Sequence, residues 1–249
     1  MQAWAKVTMV SLVAVAAVAS AKPHPAAESQ KAIAAALANP ARADQATDDD
    51  RRKTAAVLAF SGVGPGDTVV DFFPGAGYWT RIFSGVVGPK GQVISLWPSG
   101  TKKYAEKAAP AMTARGLANV TVDVQEGPLA VSKPVDLVWT VQNYHDINNV
   151  GGEAAIASVD AAIFKMLKPG GTYVVIDHVD AAASGLSGTA TKHRIDAAVV
   201  KAQVLKAGFK FAGESNVLRN PADDHKLNVF DPAIRGHTDQ FVYKFRKPG

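Results

Sequence analysis

The chain has 249 residues, 47% of them hydrophobic, a net charge of +5 and no cysteine. That is enough apolar material for one large α/β domain behind a leader, and it excludes a disulfide framework. The charge is dispersed: Asp48–Asp50 runs straight into Arg51–Lys53, and no basic stripe is interleaved with aromatics, which argues against a nucleic-acid partner.

In chain order, Lys6 precedes an apolar run, Val7 to Val18, too short for a membrane span, and Ala19-Ser20-Ala21 has the small-x-small form of a cleavage site. Residues 1–21 therefore read as a signal peptide. The mature chain is expected to start at Lys22, to be periplasmic or secreted, and to keep no stable membrane anchor. Lipid anchoring of the bacterial lipoprotein kind is excluded because no cysteine stands at the cut. Residues 22–47 are expected to be a spacer and one helix, Ser29 to Leu37, stopped by Asn39-Pro40. The main domain is expected over 48–249. It opens with a helix from Asp49 to Phe60, capped by Thr47 or Asp48 and packing through Ala55, Val57 and Leu58.

After the turn Gly64-Pro65-Gly66 comes the stretch that organises the rest, Val69-Val-Asp-Phe-Phe-Pro-Gly-Ala-Gly-Tyr-Trp-Thr80. Val69 to Asp71 reads as a buried strand, Pro74 to Gly77 as a glycine turn, and Tyr78 to Val87 as a helix. Glycine there lets a ligand approach bare backbone, and the free N–H groups of the helix start face it. The plain alternative is a tight βα connection. Strands then alternate with helices. Strands are expected at Gly91 to Trp97, Val120 to Val124, Val135 to Val141, Thr172 to Ile176, Phe209 to Glu214 and Phe241 to Phe245. Helices are expected at Lys102 to Arg115 (Tyr104, Ala108 and Met112 on one face), at Glu153 to Leu167 (Ile156, Val159, Ile163, Met166) and at His193 to Ala207 (Ile195, Val199, Ala202, Leu205). Lys168-Pro169-Gly170-Gly171 should end the second of these. Such alternation predicts an α/β, Rossmann-like doubly wound sheet, mostly parallel, with ligands at the carboxyl ends of its strands.

Three pieces of this order resemble the class I S-adenosylmethionine-dependent methyltransferases. They are the acid and glycine turn of Val69 to Gly77, the strand Val135 to Val141 running into Gln142 and Asn143, and Phe164-Lys-Met-Leu-Lys-Pro-Gly-Gly171 before a strand. Asn143-Tyr-His-Asp146 and the tail from Thr238 to Pro248 look like an exported bacterial branch of predicted methyltransferases. The resemblance covers about residues 48 to 247. It implies seven strands with the last antiparallel, and S-adenosylmethionine as cofactor across the first two. It also implies cofactor contacts from Asp71, Gly75, Gly77 and Asn143, and from Glu126, where the family often places an acid on the adenine amino group. Two positions depart from the pattern. Phe73 stands where the family has its first glycine. Trp97 stands where an acid usually holds the ribose hydroxyls; an indole cannot accept those bonds, so Trp97 would stack on the adenine or plug the pocket.

Methyl transfer to a small-molecule acceptor needs positioning, and a base when the acceptor carries a proton. His145 is the candidate base, its ordinary pKa lying near working pH, with Asp146 beside it. Tyr144, His178 and Arg194 are candidate acceptor contacts, Arg194 for an acidic acceptor, and Asp177 closes the same strand as His178. Asn143 and Asp146 could equally cap the loop and helix that follow. Two other functions stay open. His145, His178 and His193 with Asp146 or Asp177 would suit a metal-dependent hydrolytic protein. No His-x-x-x-His, Glu-x-x-His or cysteine pair is present, however, so no metal ligand is assigned. A methyltransferase fold that lost its cofactor would instead be a ligand- or partner-binding protein. Leu218 to Arg235 is either a lid or a surface insertion.

Overall fold

The computed structural model describes residues 19–249; the apolar run Val7 to Val18 lies outside them. Among the described residues, α1 (Ala26–Leu37) and α2 (Thr54–Ser61) precede an alternating series. It runs β1 (Thr68–Phe72), α3 (Tyr78–Val87), β2 (Gln92–Trp97), α4 (Lys102–Thr113), β3 (Val120–Val124), β4 (Val135–Val141), α5 (Tyr144–Met166), β5 (Leu167–His178), α6 (Thr189–Lys192), α7 (Ala197–Lys206), β6 (Lys210–Ser215) and β7 (Gln240–Arg246). The strands make one sheet in the order β3-β2-β1-β4-β5-β7-β6. β1 to β5 pair in parallel, and β7 runs antiparallel to both β5 and β6. The order reverses at β1, which puts the β1 and β4 carboxyl ends at the switch point where such sheets take ligands.

Successive side chains of one strand point to opposite faces, and each face has its own core. Val70, Val138 and Val175 pack with Ile156 and Ile163 of α5 and with Val200 and Val204 of α7. Val69, Leu137 and Val174 pack with Ile33 of α1, Leu58 of α2 and Ile82 of α3. Trp139, fully buried, lies with its ring 5.0 Å from Trp79 and 5.3 Å from Phe83. Residues 22–47 are part of this packing. The Ala36 Cβ lies so close to Gly85 of α3 that a Cβ there would come within 2.8 Å of it. His24 bonds Asp67 at 2.7 Å.

Several element bounds differ from those expected. The second helix starts at Thr54 because Asp48 and Asp49 are used elsewhere: Asp48 pairs with Arg51 at 2.8 Å and Asp49 with Arg42 at 2.7 Å. Lys53 then turns left-handed. α5 starts nine residues early, at Tyr144, and breaks at Gly151 and Gly152. β5 begins at Leu167, so Lys168 to Gly171 lies within a strand. It is held there by Lys168 on Asp136 at 2.8 Å, beside a register shift between Val135 and Leu137. In α7 the buried pair is Val200 and Val204, while Leu205 is exposed. Ile195 instead bridges Val179 ahead of the helix. Among the described residues no helix is long and apolar enough to cross a membrane.

Candidate functional site

The carboxyl edge of the sheet divides into two halves of different chemistry. On the β1–β2 side, Gly75 (φ +57°) and Gly77 (φ +77°) make the left-handed turn that glycine permits. A Cβ on Gly75 would meet open space; one on Gly77 would lie 2.5 Å from the Met112 sulfur. Asp71 does not face that space. It is buried, accepts a 2.6 Å bond from the Thr80 hydroxyl, and burial pushes its pKa up to about 7. Its carboxyl thus ties the β1 end to the first turn of α3. Phe73 occupies the left-handed region at φ +56°, so the backbone here does demand the conformation a glycine would supply. Its ring packs edge-on against Trp97 at 5.2 Å and Tyr104 at 5.8 Å. Trp97 is buried and its indole N–H has no partner among the described residues. The end of β2 is therefore filled by aromatic rings and Met112. Glu126 stands apart, exposed and paired with Lys102 at 2.9 Å.

The β4–β5 side is polar and ionisable. Asn143 is buried at the end of β4, and its side-chain amide donates to the Phe72 carbonyl at 3.1 Å and the Phe73 carbonyl at 3.4 Å. It thereby fastens the glycine turn to β4, while its own Oδ1 is buried without a partner. His145 opens α5, where Asp177 at the end of β5 holds it twice. One carboxylate oxygen accepts from the His145 backbone N–H at 2.9 Å, and the carboxylate faces Nδ1 at 2.9 Å. Burial would lower the His145 pKa, but the Asp177 and Asp146 carboxylates outweigh it and hold it raised. Burial likewise opposes ionisation of Asp177, and His145 reverses that sign. His193, left-handed at φ +55°, brings Nδ1 to 3.3 Å from His145 Nε2. Asp146 Oδ1 lies 3.5 Å from His145 Nε2 and 3.7 Å from His193 Nδ1.

Three other expected contacts are occupied within the protein. His178 is buried, meets the Thr238 hydroxyl through Nδ1 at 2.7 Å, and is pushed down to about 4 by burial, which keeps it neutral. Tyr144 is fully buried and donates to Asp160 at 2.8 Å, in the core under α5 rather than in a pocket. Arg194 is fully buried and clamped, with Asp223 at 2.9 and 3.0 Å and the carbonyls of Leu227 and Val179 at 2.9 and 3.0 Å. Four of its five N–H donors are spent within the protein and the group is sealed from solvent, so it does not face an acidic acceptor. Its partner Asp223 belongs to the segment between β6 and β7, which is also tied to α6 through Val229 on Lys192 and Asn228 on Thr191. That segment lays the Phe230 ring 4.9 Å from His193. Sequence reasoning gave Thr80 no site role and His193 a role only in the metal-dependent alternative. The first had no signal, and the second had only its place among three histidines.

The comparisons agree with this architecture. A SAM-dependent methyltransferase from Aquifex aeolicus superposes with a TM-score of 0.55 at 18% identity, covering 90% of this chain and 98% of that one. The [4+2]-cyclase SpnF gives 0.58 at 17% identity, with 94% and 99% covered. A Bordetella parapertussis protein described as a possible exported protein gives 0.52 at 16%, with 82% and 68% covered. At these identities the likeness shows the fold alone. No curated protein matches the chain by sequence. The family model for protein-L-isoaspartate(D-aspartate) O-methyltransferase matches residues 41–200, well over half of the chain. The chain belongs to that family, and with it to the S-adenosylmethionine-dependent methyltransferases.

Proposed function

We propose that the protein methylates a small-molecule acceptor held at the carboxyl ends of β4 and β5. The observation that carries this is the open turn at Gly75 fastened by Asn143, whose buried Oδ1 is left without a donor. An unpartnered buried acceptor costs about 1–3 kcal/mol unless a ligand satisfies it, and the ammonium group of S-adenosylmethionine is such a donor. The glycine turn and Asn143 therefore fit the cofactor's amino-acid end. The β2 end fits its ribose less well, because Trp97 stands where an accepting carboxylate would be, and Phe73 must shift for an adenosine to lie there. When bound, the cofactor supplies an electrophilic methyl group on sulfur. The protein's part is then to hold the acceptor in line and to take up its proton at His145, whose imidazole Asp177 orients. Glu126 would meet the cofactor only if it left Lys102, and His178 would contribute a neutral wall.

Support for an exported protein comes from the Lys6 and Val7 to Val18 leader pattern, with one fold neighbour of that description. The test is calorimetric titration of the chain from Lys22 onward with S-adenosylmethionine and its demethylated product. Micromolar binding that vanishes in Gly75→Asp is the expected result. No binding to either by a cooperatively folded sample would refute the proposal. It would favour the cofactor-free binding protein, which the packing of Phe73, Trp97 and Tyr104 already suits.

A further inference from the structure

We infer that His145 Nε2, Asp146 Oδ1 and His193 Nδ1 form a divalent-metal site of the zinc type, backed by Asp177. These three atoms lie within 4.8 Å of one another, and their separations are 3.3, 3.5 and 3.7 Å. Ligands about 2.0–2.1 Å from a tetrahedral zinc are about 3.3–3.4 Å apart. An octahedral ion at about 2.1 Å would draw them to about 3.0 Å. The observed triangle thus fits one face of a slightly open tetrahedron. The same distances fit hydrogen bonding poorly, since all three exceed the roughly 2.7–3.2 Å range of good N–H bonds.

The surroundings have the form that metal ligands take. Asp177 occupies Nδ1 of His145 at 2.9 Å, which fixes the ring and turns Nε2 toward the other two groups. A carboxylate behind a ligating imidazole is the usual outer support. His193 is held in a left-handed conformation that a non-glycine residue adopts only at a cost. Phe230 lies against its ring, and Arg194, next in the chain, is clamped to Asp223. His178 is excluded by its bond to Thr238. Two imidazoles and one carboxylate leave a coordination position open, as in catalytic rather than structural zinc sites. An acceptor oxygen bound there would be activated by the ion, with His145 as a ligand instead of a base.

The site shares His145 with the proposed methyl-transfer site, and its test uses neither cofactor nor turnover. The purified chain is stripped with a chelator, then titrated with Zn²⁺ by calorimetry and with Co²⁺ by visible absorption. The expected result is one ion per chain with the intense visible bands of four-coordinate cobalt. Binding should weaken at least about tenfold in His193→Ala and in Asp146→Ala, roughly 10–100-fold in Asp177→Asn, and not at all in His178→Ala. His193 and Asp146 are partly exposed, at 29% and 43% of the side chain, so these variants should fold; circular dichroism checks it. Absence of saturable binding would overturn the inference, as would binding unchanged in both His193→Ala and Asp146→Ala, or a weak six-coordinate cobalt spectrum.

Discussion

Asp223→Ala should be among the most damaging single substitutions outside the two core clusters. Arg194 is fully buried, and its guanidinium cannot shed its charge at any accessible pH. Asp223 supplies two of its four contacts and all of the opposing charge. Removing one partner of a buried ion pair leaves an uncompensated charge, at about 3–5 kcal/mol. Asp223 also accepts the backbone N–H of Asp239 at 2.7 Å and of His225 at 3.1 Å, so the loop before β7 loses its anchor as well. Arg194→Met should cost less, about 2–3 kcal/mol, because the orphaned carboxyl keeps those two amides and can take up a proton. Urea denaturation of both variants and of the parent, fitted with a common slope, gives the two differences. A loss below about 1 kcal/mol for Asp223→Ala would refute the buried-pair account. So would an Arg194→Met variant of parental stability that lost only acceptor binding, since that would make Arg194 a substrate ligand rather than a clamp.

Three further outcomes are expected. Gly75→Ala should cost only the left-handed strain, about 1–2 kcal/mol, while Gly77→Ala should cost more because its Cβ would lie 2.5 Å from the Met112 sulfur; equal urea midpoints would count against that packing. Tyr104→Ala removes a half-exposed ring from Phe73, costs at most about 1 kcal/mol, and should tighten S-adenosylmethionine binding in calorimetry if the aromatic group restricts the β2 end; unchanged or weaker binding would sink that idea. For Asp71, burial sets a folded pKa of about 7 against an ordinary carboxyl near 3.8. The folded state holds the proton more tightly, so this group's stabilisation is present below pH 4 and lost as pH rises through 7, on the order of a few kcal/mol. Asp71→Asn should flatten that part of the urea-midpoint profile between pH 4 and 8, and a profile parallel to the parent's would refute it.

The sheet was legible because its strands carry their own signal. Val120 to Val124 and Val135 to Val141 appear with the expected bounds, since short runs dominated by β-branched and apolar residues and flanked by polar turns have few other uses. Helix phase was less legible. In α7 the aliphatic residues Val199, Val200, Val204 and Leu205 fit two adjacent stripes equally well, and packing against β6 and β7 selects Val200 and Val204. Gly151 and Gly152 hid the first turn of α5, because a break at two glycines leaves no periodicity to read across it. The consequence for the site is direct: Tyr144 and His145 lie on a helix rather than in a loop, so one turns into the core while the other meets Asp177. Tyr144 and Arg194 looked like binding groups because their partners, Asp160 and Asp223, are 16 and 29 residues away. Charge in a sequence shows an ability to pair, and only the fold shows with what. Phe73 could be flagged from sequence, and its positive φ shows why: the turn there takes the left-handed shape that a glycine would supply.

The division of the carboxyl edge separates two questions that the fold joins. At the β1–β2 end Phe73, Trp97 and Tyr104 pack against one another, and the proposed cofactor site requires Phe73 to move. At the β4–β5 end the groups are ionisable and converge on a point, with Asp177, an oriented imidazole and a strained His193 set before any ligand arrives. Pre-organisation of that kind costs stability, and a fold retains such cost chiefly at functional sites. A cyclase on the same fold shows that the scaffold accepts chemistry other than methyl transfer. The two titrations therefore divide the alternatives. Binding of S-adenosylmethionine with zinc would indicate metal-assisted methyl transfer, with His145 as ligand. Cofactor binding without zinc leaves His145 as the base. Zinc without cofactor would make the histidine end the working centre, and the aromatic packing around Phe73 the closed remnant of a methyl-donor pocket.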